Sequence, residues 1–267
     1  MRIARFSLPD TASDAGAVRF GVVEGEPDRP ETMVIAELDG HPFTPNPQTT
    51  GRAWPLDDVR LLAPVLPSKI AAIGRNYAEH ARELGNEVPD VPITFLKPST
   101  SVIGPNETIA YPEISKDVHH EAELAVVIGR LCRQVPLDRA KDVILGYTCA
   151  NDVTARDLQQ TEKQWGRAKG FDTFCPLGPW IETEIDPADL SVTCTVNDEL
   201  KQAGRTSQMI RDVAALVAHV SEAMTLLPGD VILTGTPSGV GPLHVGDTVS
   251  VTIENIGTLT NRVVSRD

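Results

Sequence analysis

His119-His120-Glu121-Ala122-Glu123-Leu124-Ala125-Val126-Val127-Ile128-Gly129 sets two carboxylates two residues apart and then runs into an apolar, β-branched segment. A β-strand has a side-chain period of two, so Glu121 and Glu123 are expected on one face. Like charges this close repel each other. Partly buried, they need a compensating cation, and a divalent ion is the usual one. Asp152 follows the apolar run Val143-Ile144-Leu145-Gly146-Tyr147 and offers a third carboxylate. The chain therefore reads as organised around Glu121, Glu123 and Asp152 holding one hard metal ion. Three oxygen ligands and no thiolate suit Mg2+ or Mn2+, with coordination positions left over for a substrate.

Upstream, Lys69-Ile70-Ala71-Ala72-Ile73-Gly74 reads as a buried strand. In the segment that follows, Asn76 is placed to cap a short helix, with Glu79 three residues on as in a capping box and Gly85 as its stop. His80 and Glu83 share a face of that helix, and the polar, Pro-rich Asn86–Pro92 leaves it looking like a lid. Ile93-Thr94-Phe95-Leu96 is a further strand. Residues 1 to about 60 carry short strand-like runs at Ile3–Leu8, Val18–Val23 and Thr32–Leu38. Turn chemistry lies between them at Asp28-Arg29-Pro30 and Asp39-Gly40. The polar stretch from Pro45 to Gly51 reads as loop.

Downstream, Val143–Ala150 and Ser191–Val196 read as strands. Apolar residues at helical spacing predict a helix over Ser207–Leu227, capped by Ser207 and ended by Pro228-Gly229. Asp247–Ile253 and Thr258–Val264 form a hairpin. The Gly-rich Thr234–Pro242 lacks a G-K-[ST] ending and a following helix, so it is not a phosphate loop. Its glycines are expected to let the backbone approach a ligand. His119 and His120 are read in supporting roles, because H-E-x-x-H is absent. The whole is α+β, mainly β, without regular βαβ alternation, and divides into a small β-rich N-terminal domain (1–64) and a catalytic domain (65–267).

A chain of 267 residues can bury a sizeable core. The net charge of −13 argues against nucleic acid or an anionic membrane as partner. No run approaches the length of a membrane span, and residues 1–6 have no apolar core of signal-peptide length. The cysteines Cys132, Cys149, Cys175 and Cys194 are far apart and read as buried small hydrophobes in a reducing compartment, which makes the cytoplasm the expected location.

Six motifs then fall into register: Gly74-Arg75-Asn76-Tyr77, Phe95-Leu96-Lys97-Pro98, the Glu121/Glu123 pair, Asn151-Asp152-Val153-Thr154-Ala155-Arg156-Asp157, Ala168-Lys169-Gly170-Phe171-Asp172, and Gly235-Thr236-Pro237-Ser238-Gly239-Val240-Gly241. In that order, over residues about 69–264, they resemble the fumarylacetoacetate hydrolase family. The resemblance implies a mixed β-roll, an Mg2+ (or Mn2+) ion, a homodimer, and a small-molecule substrate carrying a 2-oxo or enol carboxylate. It implies Glu121, Glu123 and Asp152 as metal ligands and Lys169 facing the substrate oxygens. His80 and Glu83 match a lid dyad, and Arg75, Gln159 and Thr236 match substrate-contacting positions.

Three carboxylates on a 2+ ion leave a charge near −1, so a dianionic substrate needs a further cation, for which Lys169 is placed. The family's reactions share an enolate whose charge the ion and Lys169 stabilise. His80, oriented by Glu83, is suited to activating water or moving a proton. The N-terminal extension resembles that of bacterial 2-hydroxyhepta-2,4-diene-1,7-dioate isomerases. Acylpyruvate or fumarylacetoacetate-type C–C hydrolysis and oxaloacetate decarboxylation stand as the alternative. A non-catalytic protein holding a metal–oxoacid complex is the alternative from another class.

Overall fold

The computed structural model describes residues 1–8, 16–26, 29–44 and 46–266. Asp28 of the expected turn and Pro45 of the expected loop lie outside them. The fold is α+β and mainly β, as expected. At its centre is the strand Ala122–Ile128, with all seven residues buried. Strand periodicity divides them. Leu124, Val126 and Ile128 enter the larger apolar core, while Ala125 and Val127 enter a smaller one with Ile70, Ala72, Leu177, Ile181, Val231 and Leu233. Glu123, and Glu121 just before the strand, belong to the smaller core's side by the same alternation.

Ala122–Ile128 pairs antiparallel with Ile144–Asn151 on one side and Val231–Leu233 on the other. Val231–Leu233 pairs parallel with Ile70–Gly74, which pairs with the edge strand Ile93–Lys97. In the other direction Ile144–Asn151 pairs with Cys175–Glu182, and the sheet then continues through the N-terminal strands Arg2–Ser7, Val18–Glu24, Val34–Leu38 and Thr49–Pro55. A five-stranded sheet holds Ser191–Val196 and the hairpin Thr248–Ile253/Gly257–Ser265, and a three-stranded one holds Val118–His120.

Asp230, at the foot of Val231–Leu233, is fully buried. It accepts from Ser68 N (3.1 Å), Ser68 Oγ (2.6 Å), Lys69 N (3.2 Å), Leu227 N (2.8 Å) and the Lys69 ammonium. This knot fastens the start of Ile70–Gly74 to its parallel neighbour.

Three local expectations are corrected, and one strand appears that none had covered. Asn76 is not a cap: its side chain donates to Thr234 O (2.8 Å) and Arg211 O (2.9 Å) and accepts from Arg211 N (2.9 Å). Tyr77 precedes the helix Ala78–Glu83 without a side-chain cap. The long helix is only Val213–Ala223, capped by Asp212, whose side chain accepts from Ala215 N. Ser207 instead donates to Asp189, and Met209 bridges to Tyr77. Thr49–Gly51 opens an exposed strand rather than a loop, because Val34–Leu38 supplies a partner edge. Glu199–Arg205, with no apolar alternation to announce it, is a strand against Ser191–Val196.

All four cysteines are free, and burial pushes the thiols of Cys149, Cys175 and Cys194 up to about 12. No helix among the described residues is long and apolar enough to cross a membrane.

Candidate active site

Glu121, Glu123 and Asp152 meet: each offers a carboxylate oxygen, and these lie within 4.8 Å of one another. Backbone pairing brings this about. Glu121 N donates to Asn151 Oδ1, and Asp152 N donates to Glu121 O, both at 2.9 Å. The two ends of adjacent strands are thereby clamped, with their acids side by side. All three are buried.

Three cations hold the cluster, and only Lys169 was anticipated for this site. Lys169, ending the short helix Gly166–Lys169, donates to Glu121 Oε2 and Asp152 Oδ2, both at 2.6 Å. Lys97, ending the strand Ile93–Lys97 and buried, donates to Asp152 Oδ1 at 2.5 Å. Arg156, opening the helix Arg156–Thr161, grips Glu121 Oε1 and donates to Gln159 Oε1 at 2.8 Å. His119 supports Arg156: its Nδ1 accepts from Arg156 Nε at 3.4 Å, while its Nε2 faces Asp117 at 2.9 Å.

Glu123 is different. Gly235 N donates to its Oε2 at 2.7 Å, and among the described residues it has no ion pair. Burial, then the charges of Asp152 and Glu121, push its carboxyl well above its ordinary value. Burial would also raise Glu121, but Arg156 and Lys169 outweigh it and hold that group below the usual carboxylate range. Burial works to lower Lys169, and Asp152 and Glu121 overcome it, keeping the ammonium charged. Three cations thus stand beside three carboxylates, but among the described residues none pairs directly with Glu123. Hard oxygen donors with an unmet negative charge fit a divalent ion.

A cleft of about 320 Å³ opens on this cluster. Arg75, His80, Gln159, Lys169 and Thr236 line it together with Glu121 and Glu123, so the anticipated residues converge on one space. Asp152 sits behind Lys169. His80 is buried, and its Nδ1 lies 3.4 Å from Glu83 Oε2, a long contact. Burial pushes His80 below its ordinary value, against the charge of Glu121. Glu83 also accepts from Gly239 N at 3.0 Å, which ties the helix Ala78–Glu83 to the glycine loop.

Two of that loop's glycines donate to the protein's own carboxylates. Gly235 (φ +95) and Gly239 (φ +96) adopt conformations that disfavour side chains. A Cβ at Gly235 would stand 2.8 Å from Asn76 Cβ, and one at Gly239 would stand 2.2 Å from Lys201 O. Their N–H groups reach Glu123 and Glu83 because nothing intervenes.

Trp165 forms a wall that sequence reading missed. Arg75 lies over its ring at 5.7 Å, and Phe95 packs edge-on at 5.4 Å. Arg75 is in a left-handed conformation (φ +57), and its buried Nε has no hydrogen-bond partner among the described residues.

A buried carboxylate triad that could hold a metal ion, with an adjacent lysine, at the foot of a cleft lined by further cations, defines the class of the site. Residues 69–264 match the family described as fumarylacetoacetate (FAA) hydrolase, C-terminal, and residues 1–64 match Rv2993c-like, N-terminal. The chain belongs to the fumarylacetoacetate hydrolase family. It is 55% identical to Protein Rv2993c of Mycobacterium tuberculosis, over all of this chain and 99% of that one. A crystal structure of 2-hydroxyhepta-2,4-diene-1,7-dioate isomerase from Mycobacterium marinum superposes with a TM-score of 0.91 at 54% identity, covering 100% of this chain and 99% of the other. A mitochondrial oxaloacetate tautomerase of Bos taurus is 39% identical over 99% of this chain and 92% of its own.

Proposed function

We propose that this chain is a divalent-metal-dependent isomerase of a 2-oxo or 2-hydroxydienoic diacid, with 2-hydroxyhepta-2,4-diene-1,7-dioate as substrate. The observation that carries the proposal is the charge balance at the cleft. Three buried carboxylates face three buried cations, Lys97, Arg156 and Lys169. A 2+ ion leaves that group two charges positive, which matches a dianion. Two of the relatives whose names give an activity are an isomerase and a tautomerase, names that denote relocation of a proton.

Glu121, Glu123 and Asp152 would hold the ion, Mg2+ or Mn2+. When bound, the ion supplies a Lewis acid for the substrate's 2-oxo oxygen. The chain's residues do the rest. Lys169 sets its ammonium against the negative charge that grows on that oxygen. Arg156 and Lys97 hold Glu121 and Asp152 in place through buried ion pairs. Glu83, accepting at Nδ1, fixes the proton of neutral His80 there and leaves Nε2 as the base. His80 takes the proton from one carbon and returns it at another. Arg75 answers the far carboxylate, and Gln159 and Thr236 contact the near one. The proposal includes a homodimer, a cytoplasmic setting and the division into 1–64 and 65–267.

The test is turnover on oxaloacetate, acetylpyruvate, fumarylacetoacetate and the heptadienedioate with Mg2+, against EDTA and Glu123→Ala controls. Metal-dependent isomerisation of the heptadienedioate is expected. The His80–Glu83 lid also suits water activation, which favours C–C hydrolysis or decarboxylation as the second reading. Conversion of acetylpyruvate or oxaloacetate alone, lost in His80→Ala, would replace the first reading with it. Activity surviving both EDTA and Glu123→Ala would sink both.

A further inference from the structure

Gln202 lies on Glu199–Arg205, fully buried behind the cleft wall. Its amide is completely used. Oε1 accepts from Ala122 N and faces His120 Nδ1, both at 3.0 Å. Nε2 donates to Thr236 Oγ1 at 2.8 Å and to Pro237 O at 2.9 Å. Two of these neighbours are backbone groups and allow only one orientation. A peptide N–H can only donate and a carbonyl can only accept, so the amide cannot be turned over. Nε2 must therefore face Thr236, and the Thr236 hydroxyl must accept.

The proton of that hydroxyl then has to go elsewhere. Thr236 is 2% exposed and lines the cleft, and among the described residues its Oγ1 has no second partner. The cleft is its open side. We propose that Gln202 is a positioning residue that makes Thr236 an obligate hydrogen-bond donor into the cleft. The site thereby selects a ligand with an acceptor oxygen at that point, a carboxylate or enolate oxygen, over one presenting N–H or O–H. The inference rests on the oxoacid reading of the cleft. Gln202 also holds Ala122, the residue between Glu121 and Glu123, so one side chain sets the donor in register with the carboxylates.

The experiment is calorimetric binding of oxalate at saturating Mg2+ to wild type, Thr236→Val, Gln202→Met and the double variant. Each single change is expected to weaken oxalate roughly threefold to tenfold, the size of one hydrogen bond. The double variant should bind like Thr236→Val alone, and Thr236→Ser should bind like wild type. Gln202→Met weakening oxalate equally in both backgrounds, or not at all, would overturn the proposal. Wild type that binds oxalate yet converts no diacid defeats the proposed reaction and leaves this test intact. Where Gln202→Met does not fold, or wild type binds no oxalate, neutron diffraction of the wild-type protein decides. A deuteron on Thr236 Oγ1 aimed into the cleft supports the proposal, and one aimed at Gln202 or Pro237 defeats it.

Discussion

Glu123 and Asp230 stand at opposite ends of the same pair of strands, separated by roughly 17 Å of chain rise. Both are buried acids. Asp230 collects five donors, including an ammonium. Glu123 has one backbone donor and a cleft in front of it. Burial tends to raise both. At Asp230 the hydrogen bonds from Leu227, Lys69 and Ser68 win and the carboxyl falls below its ordinary value, whereas at Glu123 the neighbouring acids add to burial. A saturated buried carboxylate holds a structure together. An unsaturated one waits for a ligand, and the protein carries its cost in the meantime.

Exchanging the fates of these two residues is the sharpest way to break the comparison. Glu123→Ala is expected to cut metal-dependent kcat/KM by roughly 10³-fold or more, through loss of the charge stabilisation the ion supplies. Without metal at neutral pH its melting temperature should hold or rise, because a strained charge has gone. Asp230→Ala should do the reverse. It strands Lys69 and several N–H groups, lowers stability by about 3 kcal/mol, and leaves kcat/KM per folded molecule near wild type. Denaturant melts beside steady-state kinetics check both. Equal stability losses would mean that Glu123 is as structural as Asp230.

His80→Ala is expected to lower kcat by roughly 10²-fold or more, as for loss of a general base. Because burial depresses the wild-type group, the acidic limb of its kcat/KM profile should lie below pH 6.5. A limb at or above pH 6.5 would remove His80 from the proton path.

The smallest effect concerns stability against pH. The folded Asp230 carboxyl titrates below its unfolded value near 3.8, so its contribution is fully present above that pH and is lost as pH falls through the folded value. Glu123 has the opposite sign. Without metal, its raised carboxyl costs stability progressively as pH rises from about 4.5 towards the folded value. Asp230→Asn should flatten the acid limb of stability, and Glu123→Gln should remove the metal-free decline above it. Melting across pH 3–8 with and without Mg2+ resolves the two.

What was legible in the sequence, and what was not, follows the same physics. Glu121 and Glu123 announce themselves because like charges two apart on an apolar strand are costly without a purpose. Lys97 gives no such sign. At a strand end before Pro98 it looks like any solvated lysine until Asp152 is seen opposite. Gln202 sits in a polar run whose strand exists only because Ser191–Val196 offers it an edge. Asn76 had a good cap's chemistry, but the backbone of Thr234 and Arg211 competed for its amide and won. Helical spacing continued back to Met209 by coincidence, since those apolar residues answer to Tyr77 and not to a helix. Local patterns found the elements and the acids. The cations and the amide that orient them are long-range partners, which no window of sequence contains.

The joining of Arg2–Ser7 to Cys175–Glu182 also bears on solubility. All eight residues of Cys175–Glu182 are buried, and Val102–Ile103 covers that strand's far edge only at Cys175 and Pro176. Arg2 and Ile3 close the other end by pairing with Glu182 and Ile181. Stripped of its first strand, the sheet would present an apolar, hydrogen-bond-hungry margin, the kind on which chains self-associate. The N-terminal strands move that margin outward to Thr49–Pro55, where six of the seven residues are exposed and Arg52 and Pro55 discourage further pairing. In that arrangement the apolar strand Cys175–Glu182 is an interior strand of the sheet, and the exposed edge is a polar one.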